Sequence, residues 1–337
     1  MQKIWLFLLC LCSTAFGQIT LKECLRNSPE GSYFVTQSEN TQTFLFIRSC
    51  DQDKIIIEEV SIPAANKDDL NWKVWFEAKA PGHTLWTISQ INLSSGSLEE
   101  TFSFTHMGWI DRKEAHTFLS TLLNLSFYEV PEGERKKVGF PPKHGQQDKR
   151  KLWTPPHIVE GNQIEGTPFI AYYTRWPNDN SEMARHRIEI YLPKESTDYP
   201  SCFPSWIEVD AKVTQVRLRV IDSGLGAKSP QPSLPYRPPA FVGQPTQTEK
   251  GLQLFLKAPS YFQEFIVMAE ESDTFAAKPT ILPHTLSRQE DKIVLTIANE
   301  DFAQLDQEQN YLFVVSPKEA PECTISTEYE QTCKQRT

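Results

Sequence analysis

Apolar and polar residues alternate along most of this chain with a period of two, the spacing that sends successive side chains to opposite faces of a strand. Between residues 30 and 130 this alternation predicts strands at 32–37, 42–48, 54–60, 72–78, 83–92 and 98–106. The breaks carry Asn-Thr, Asp-Gln-Asp, Pro-Gly and Ser-Gly, which close turns. The period lengthens once. Ala115, Phe118, Leu119, Leu122 and Leu123 form a helical stripe, with Asp111 as its cap and Glu114 completing a capping box. A meander followed by one amphipathic helix predicts an α+β domain over 18–130, with the helix laid across an antiparallel sheet.

The pattern breaks over 131–164, where prolines interrupt it and basic residues cluster as Arg135-Lys136-Lys137 and Lys149-Arg150-Lys151. From Pro131 to His157 seven basic residues face three acidic ones, a local charge of +4. This segment reads as a solvated linker, or as a contact for an anionic membrane surface or an acidic partner. Alternation resumes in a β unit over 165–229, with strands at 167–176, 185–192, 205–210 and 212–221. Charged stripes such as Arg217 and Arg219 fall on its wet face. A proline-rich linker over 230–239 marks a second boundary.

Residues 240–330 have the length and strand spacing of a small β-sandwich. Leu252, Leu254 and Leu256 point inward, as do Ile293, Leu295 and Ile297, and then Tyr311, Phe313 and Val315. Leu305 stands six residues before Tyr311, which opens a strand. That spacing resembles the tyrosine corner of fibronectin type III modules, and Gly251-Leu252 through Ala258-Pro259 resembles their second strand. The usual tryptophan of that strand is absent, with Phe255 or Leu256 nearest, and the corner lacks its proline. The resemblance implies a fibronectin type III-like sandwich over the last quarter of a mainly β, multi-domain chain with some α structure.

The first 17 residues follow another logic. Lys3, a nine-residue apolar run from Ile4 to Cys12 and the small residues Ala15 and Gly17 predict a signal peptide cleaved after Gly17. The run is about half of what a bilayer-spanning helix needs. Leucine precedes both Cys10 and Cys12, where lipid attachment requires a small residue. The expected product is exported, to a periplasm or to the cell exterior.

Composition narrows the chemistry further. The formal charge of −9 argues against nucleic acid as a partner, since phosphate binding relies on clustered Lys and Arg. Cleavage leaves Cys24, Cys50, Cys202, Cys323 and Cys333. In an oxidising compartment, locality favours disulfides Cys24–Cys50 and Cys323–Cys333, with Cys202 left over. No Cys-x-x-Cys or paired-His spacing suggests zinc, and no cofactor motif occurs.

One triplet has catalytic overtones. Val220-Ile221-Asp222-Ser223-Gly224 resembles the catalytic turn of retroviral-type aspartic proteases, which would make Asp222 a catalytic carboxylate. Such a site shares one proton between two carboxylates, and no second Asp-Ser/Thr-Gly exists in this sequence. As a turn at a strand end, Asp-Ser-Gly requires no catalysis. Trp75 falls on the polar side of its predicted strand, and Trp86 on the next strand lies near it. Exposed tryptophans stack on sugars or anchor protein partners. The expected function is therefore a non-enzymatic binding protein outside the cytoplasm, with a protein or glycan partner. The alternatives are an envelope carrier or chaperone with an apolar cup between sheet and helix, and a hydrolase acting through Asp222.

Overall fold

The computed structural model describes residues 18–66, 71–110, 118–179, 181, 183–210, 215–272, 279–289, 292–305 and 309–329. The expected leader, the predicted helix cap at Asp111 and Glu114, and Cys333 lie outside the described residues. The chain divides into two compact units, 1–234 and 235–337.

The first unit contains, in order, β1 (Gln18–Thr20), α1 (Leu21–Arg26), β2 (Tyr33–Ser38), β3 (Thr41–Cys50), β4 (Lys54–Pro63), α2 (Trp72–Glu77), β5 (Leu85–Asn92), β6 (Ser97–Ser103), β7 (Gly108–Trp109), α3 (Phe118–Asn124) and β8 (Ser126–Glu129). It continues with β9 (Ile158–Val159), β10 (Asn162–Gln163), β11 (Phe169–Arg175), β12 (Arg187–Pro193), β13 (Trp206–Asp210) and β14 (Gln215–Gly224). Apart from the small β9–β10 pair, the described strands form one 12-stranded sheet in the order β1-β8-β11-β12-β13-β14-β2-β3-β4-β5-β6-β7. The segments expected as an N-terminal domain and a separate β unit thus share a single sheet, with β11–β14 set between β8 and β2. They join twice: β14 pairs antiparallel with β2, Gly224 opposite Tyr33, and β11 pairs antiparallel with β8, Tyr173 opposite Tyr128. Such long-range pairing leaves no local trace in a sequence.

Both faces of this sheet are covered, and alternation decides which residue serves which face. On β2, Phe34 packs in one core with α1 and α3, while Tyr33 and Val35 pack in another. On β4, Ile55 and Ile57 join the first core and Val60 and Ile62 the second. As predicted, Leu119, Leu122 and Leu123 of α3 pack on the sheet, together with Leu21 and Leu25 of α1.

Residues 72–78 depart from their predicted strand. Trp72–Glu77 is helix α2, and Asn71 caps it, Oδ1 accepting the Val74 N–H at 3.1 Å. Trp72, Trp75 and Phe76, at helical spacing, bury one face against Phe44 and Phe46, while Val74 stays 60% exposed. Burying each ring is worth about 1.5–3 kcal/mol, which outweighs the weak helix propensity of the segment.

The second unit contains β15 (Ala240–Phe241), β16 (Thr246–Thr248), β17 (Gly251–Lys257), β18 (Phe265–Glu271), β19 (Thr280–Leu282), β20 (Thr285–Gln289), β21 (Lys292–Ile297), α4 (Asn299–Phe302), β22 (Tyr311–Pro317) and β23 (Ile325–Tyr329). One sheet runs β15-β17-β21-β20 with β16 also on β17, and the other runs β19-β18-β22-β23. The two enclose one core, built from the inward leucines and isoleucines that the alternation predicted. Gly251 makes a close passage possible. Its φ is +133°, and a Cβ there would lie 1.9 Å from the Ile297 carbonyl oxygen.

Candidate functional site

The expected binding tryptophans are core residues. Trp75 is 4% exposed and donates from Nε1 to the Pro81 carbonyl at 3.1 Å. Trp86 is fully buried and donates to Glu58 Oε2 at 2.9 Å. Helical periodicity turned Trp75 inward, and burial on both sheet faces took Trp86 out of reach of a partner. Glu58, itself fully buried, also accepts from Arg48 Nη1 at 2.7 Å and from Ser229 Oγ at 2.9 Å. That set ties the 225–234 segment to the sheet.

Asp222 is 3% exposed and spent on structure. Its Oδ1 accepts the Gly161 N–H at 3.0 Å, and the Tyr33 hydroxyl also bonds to the carboxylate. Burial raises its pKa, against the backbone N–H groups of Gly161 and Ser223, which lower it. Ser223 Oγ donates to the Ile158 carbonyl at 2.9 Å, so this turn fastens the β9–β10 hairpin to β14. Gly224 completes the triplet because a Cβ there would lie 2.6 Å from the Tyr33 ring. Each residue of Asp-Ser-Gly has a packing role in this turn.

Cys24, Cys50, Cys202 and Cys323 all carry free thiols, so the expected Cys24–Cys50 bridge is absent. Cys50 Sγ instead donates to the Leu25 and Arg26 carbonyls at 3.3 and 3.4 Å, at the open C-terminal end of α1. Cys24, Cys50 and Cys202 share the core that holds α1 and α3. Burial, then the charge of Glu23, pushes Cys24 up to about 11, and burial pushes Cys202 up to about 12.

The basic segment is the most informative of the expected sites. Rather than a free linker, residues 136–153 form a hairpin. Lys137 bridges Leu152 antiparallel, the Val138 N–H donates to the Lys151 carbonyl at 2.9 Å, and the Trp153 N–H donates to the Lys136 carbonyl at 2.8 Å. Its base is anchored on the outer face of β12 and β13. The Trp153 ring meets Tyr191 at 5.0 Å and Trp206 at 5.3 Å, both edge-on. Lys136 lies over the Trp153 ring and binds Glu208, which Arg217 also approaches at 3.7 Å.

Asp148 braces the arms. It accepts Lys137 Nζ at 3.0 Å and Arg150 through both Nε and Nη2 at 2.9 Å, while Arg150 Nη1 reaches back to the Gly139 carbonyl at 3.0 Å. The Arg150 and Lys137 hydrogen bonds hold the Asp148 carboxyl well below the usual range. Arg135 is likewise paired, with Glu129 at 2.8 Å. Four of the six expected anion-contact residues, Arg135, Lys136, Lys137 and Arg150, therefore already have partners within the chain. Lys149 and Lys151 stay exposed.

Apolar side chains stand out beside the braced stem. Phe140, which opens the loop, is 95% exposed and Val138, on the stem itself, 56%; Pro141-Pro142 lead from Phe140 into a polar turn that the Gln146 N–H closes on the Lys143 carbonyl at 3.0 Å. Among the large apolar side chains of the described residues, Phe140 is the most exposed. Sequence periodicity missed it because it belongs to no periodic segment. The available signal was a lone phenylalanine set between a glycine and two prolines inside a charged run.

A family model described as "CT021 protein" matches residues 43–165, a span that includes the hairpin. The solved structure of the hypothetical protein CT021 from Chlamydia trachomatis is similar to this chain at 19% identity. The match covers 65% of this chain and 99% of that one, with a TM-score of 0.48. No curated protein matches.

Proposed function

We propose that this chain is an exported, non-enzymatic interaction protein that holds a protein partner outside the cytoplasm through Phe140 in the loop of the 136–153 hairpin. The observation that carries this reading is the contrast between a braced stem and the unburied aromatic that directly follows it, Phe140 at 95% exposure. Ordering a loop costs conformational entropy at the moment of binding, and a braced loop has met that cost in advance. Burying Phe140 in a partner's pocket would contribute about 1.5–3 kcal/mol, the scale of an interface hot spot. The leader supports export, and the second unit supports a module of extracellular type. In its core Leu305 and Tyr311 are both buried, at 6% and 4% exposure, as a fibronectin type III-like corner requires.

The carrier alternative has less support, because Leu21, Leu25, Leu122, Leu123 and Phe127 fill the space between helices and sheet where a cup would be. The test is affinity capture from the cells that make the protein, comparing the wild type with Phe140→Ser. A partner retained by the wild type and depleted roughly tenfold or more by the variant is the expected result. Equal recovery by both defeats the proposal. Salt-sensitive binding to anionic vesicles through Lys143, Lys149 and Lys151, with no protein recovered, would assign the loop to a membrane surface instead.

A further inference from the structure

The second unit carries a cleft of ≈ 490 Å³ on the outer face of its β15-β17-β21-β20 sheet. Strand register shows how it is built. Gln253 lies opposite Thr296, which lies opposite Thr285, forming one row across three strands. Phe255, Val294 and Ser287 form the next row. Gln289 closes one end beyond Ser287, and Lys250 and Ala298 close the other. The result is an apolar floor of Phe255 and Val294 with hydroxyls, carboxamides and one ammonium around it.

Two properties set this face apart from an ordinary wet one. Among the described residues no carboxylate lines it, although the chain as a whole is acidic. Its polar side chains also make no hydrogen bond or ion pair to another group among the described residues. Three hydroxyls and two carboxamides can each donate and accept, which matches a ligand whose own groups do both. A half-buried phenyl ring between them offers a flat apolar surface for the C–H face of a pyranose. The cleft lies on the sheet face, where backbone groups are already paired within the sheet, so an extended peptide would gain no main-chain bonds from it.

From this chemistry we infer that the cleft binds an oligosaccharide, with Phe255 as the stacking platform, Gln253, Thr285, Ser287 and Thr296 as hydroxyl partners, and Lys250 placed to accept an acidic sugar. This goes beyond the hairpin reading and does not depend on it. The test is isothermal titration of the full chain with maltohexaose, chitohexaose and a hyaluronan hexasaccharide. At least one is expected to bind with a Kd at or below about 1 mM, and Phe255→Ala should weaken it roughly tenfold, which is about 1.4 kcal/mol. Ser287→Arg, on an exposed strand where folding is not at stake, should abolish binding by filling the cleft. No heat with any of the three sugars at about 5 mM overturns the inference, as does binding that Ser287→Arg leaves intact.

Discussion

Arg48→Met should destabilise the first unit more than any surface substitution, because it strips the cationic partner from a buried carboxylate. Glu58 is fully buried and accepts from Arg48 at 2.7 Å, Trp86 at 2.9 Å and Ser229 at 2.9 Å. Removing the cation leaves two neutral donors facing a charge in a dry site. Breaking a buried pair in this way costs about 3–5 kcal/mol, and the 23% exposure of the Arg48 side chain argues for the lower end. About 3 kcal/mol in a unit of this size lowers Tm by roughly 6–12 °C. Arg48→Met/Glu58→Gln should recover more than half of that loss, since the neutral amide keeps an acceptor for Trp86 and Ser229 and needs no counterion. Tryptophan fluorescence during urea unfolding is the natural assay, because every tryptophan of the chain precedes residue 207 and the signal reports the first unit alone. A loss below about 1 kcal/mol for Arg48→Met, or a double variant no more stable than the single one, would refute the reasoning.

Other expectations follow from the same structure. Asp148→Asn should loosen the hairpin stem without unfolding the sheet, read as faster tryptic cleavage at Lys143 and Lys149 with an unchanged fluorescence melt. Because hydrogen bonds from Arg150 and Lys137 depress the Asp148 pKa, its contribution is present above the unfolded value of about 3.9 and lost as pH falls below it. The protection of the Val138 and Trp153 amides, measured as the exchange rate relative to that of an unstructured amide at the same pH, should therefore hold down to about pH 4 and fall only in stronger acid. Cys24 and Cys202, raised to about 11 and about 12 by burial, should alkylate slowly in the native protein at neutral pH and fully after denaturation. Rapid native labelling of Cys202 would contradict its burial. Gly251→Ala should unfold the second unit, seen by circular dichroism while the tryptophan signal stays as it was; an unchanged melt would show that the backbone can yield at Ile297.

Period-two alternation located most strands of both units, and the inward leucines of β17 and isoleucines of β21 pack as their spacing required. It failed at Trp72–Glu77, where two periods compete. Residues 72, 74 and 76 fit a strand, whereas 72, 75 and 76 fit a helix, and Asn71 as cap decides for the helix. Because Trp75 changed faces with that choice, the proposed aromatic site disappeared with it. The joining of β14 to β2 was illegible for another reason: its partners lie nearly 190 residues apart and carry no complementary local signal. At the hairpin the charge cluster was visible, yet its meaning depended on Asp148, one acid among many until folding set it between Lys137 and Arg150.

The most direct test of the central claim places a photoreactive benzoylphenylalanine at position 140 and irradiates intact cells. A discrete protein adduct is expected from position 140. The same group at Val74, also exposed but on α2 rather than on the hairpin, should give none. No adduct at 140, or the same adduct from both positions, would contradict a partner held through Phe140.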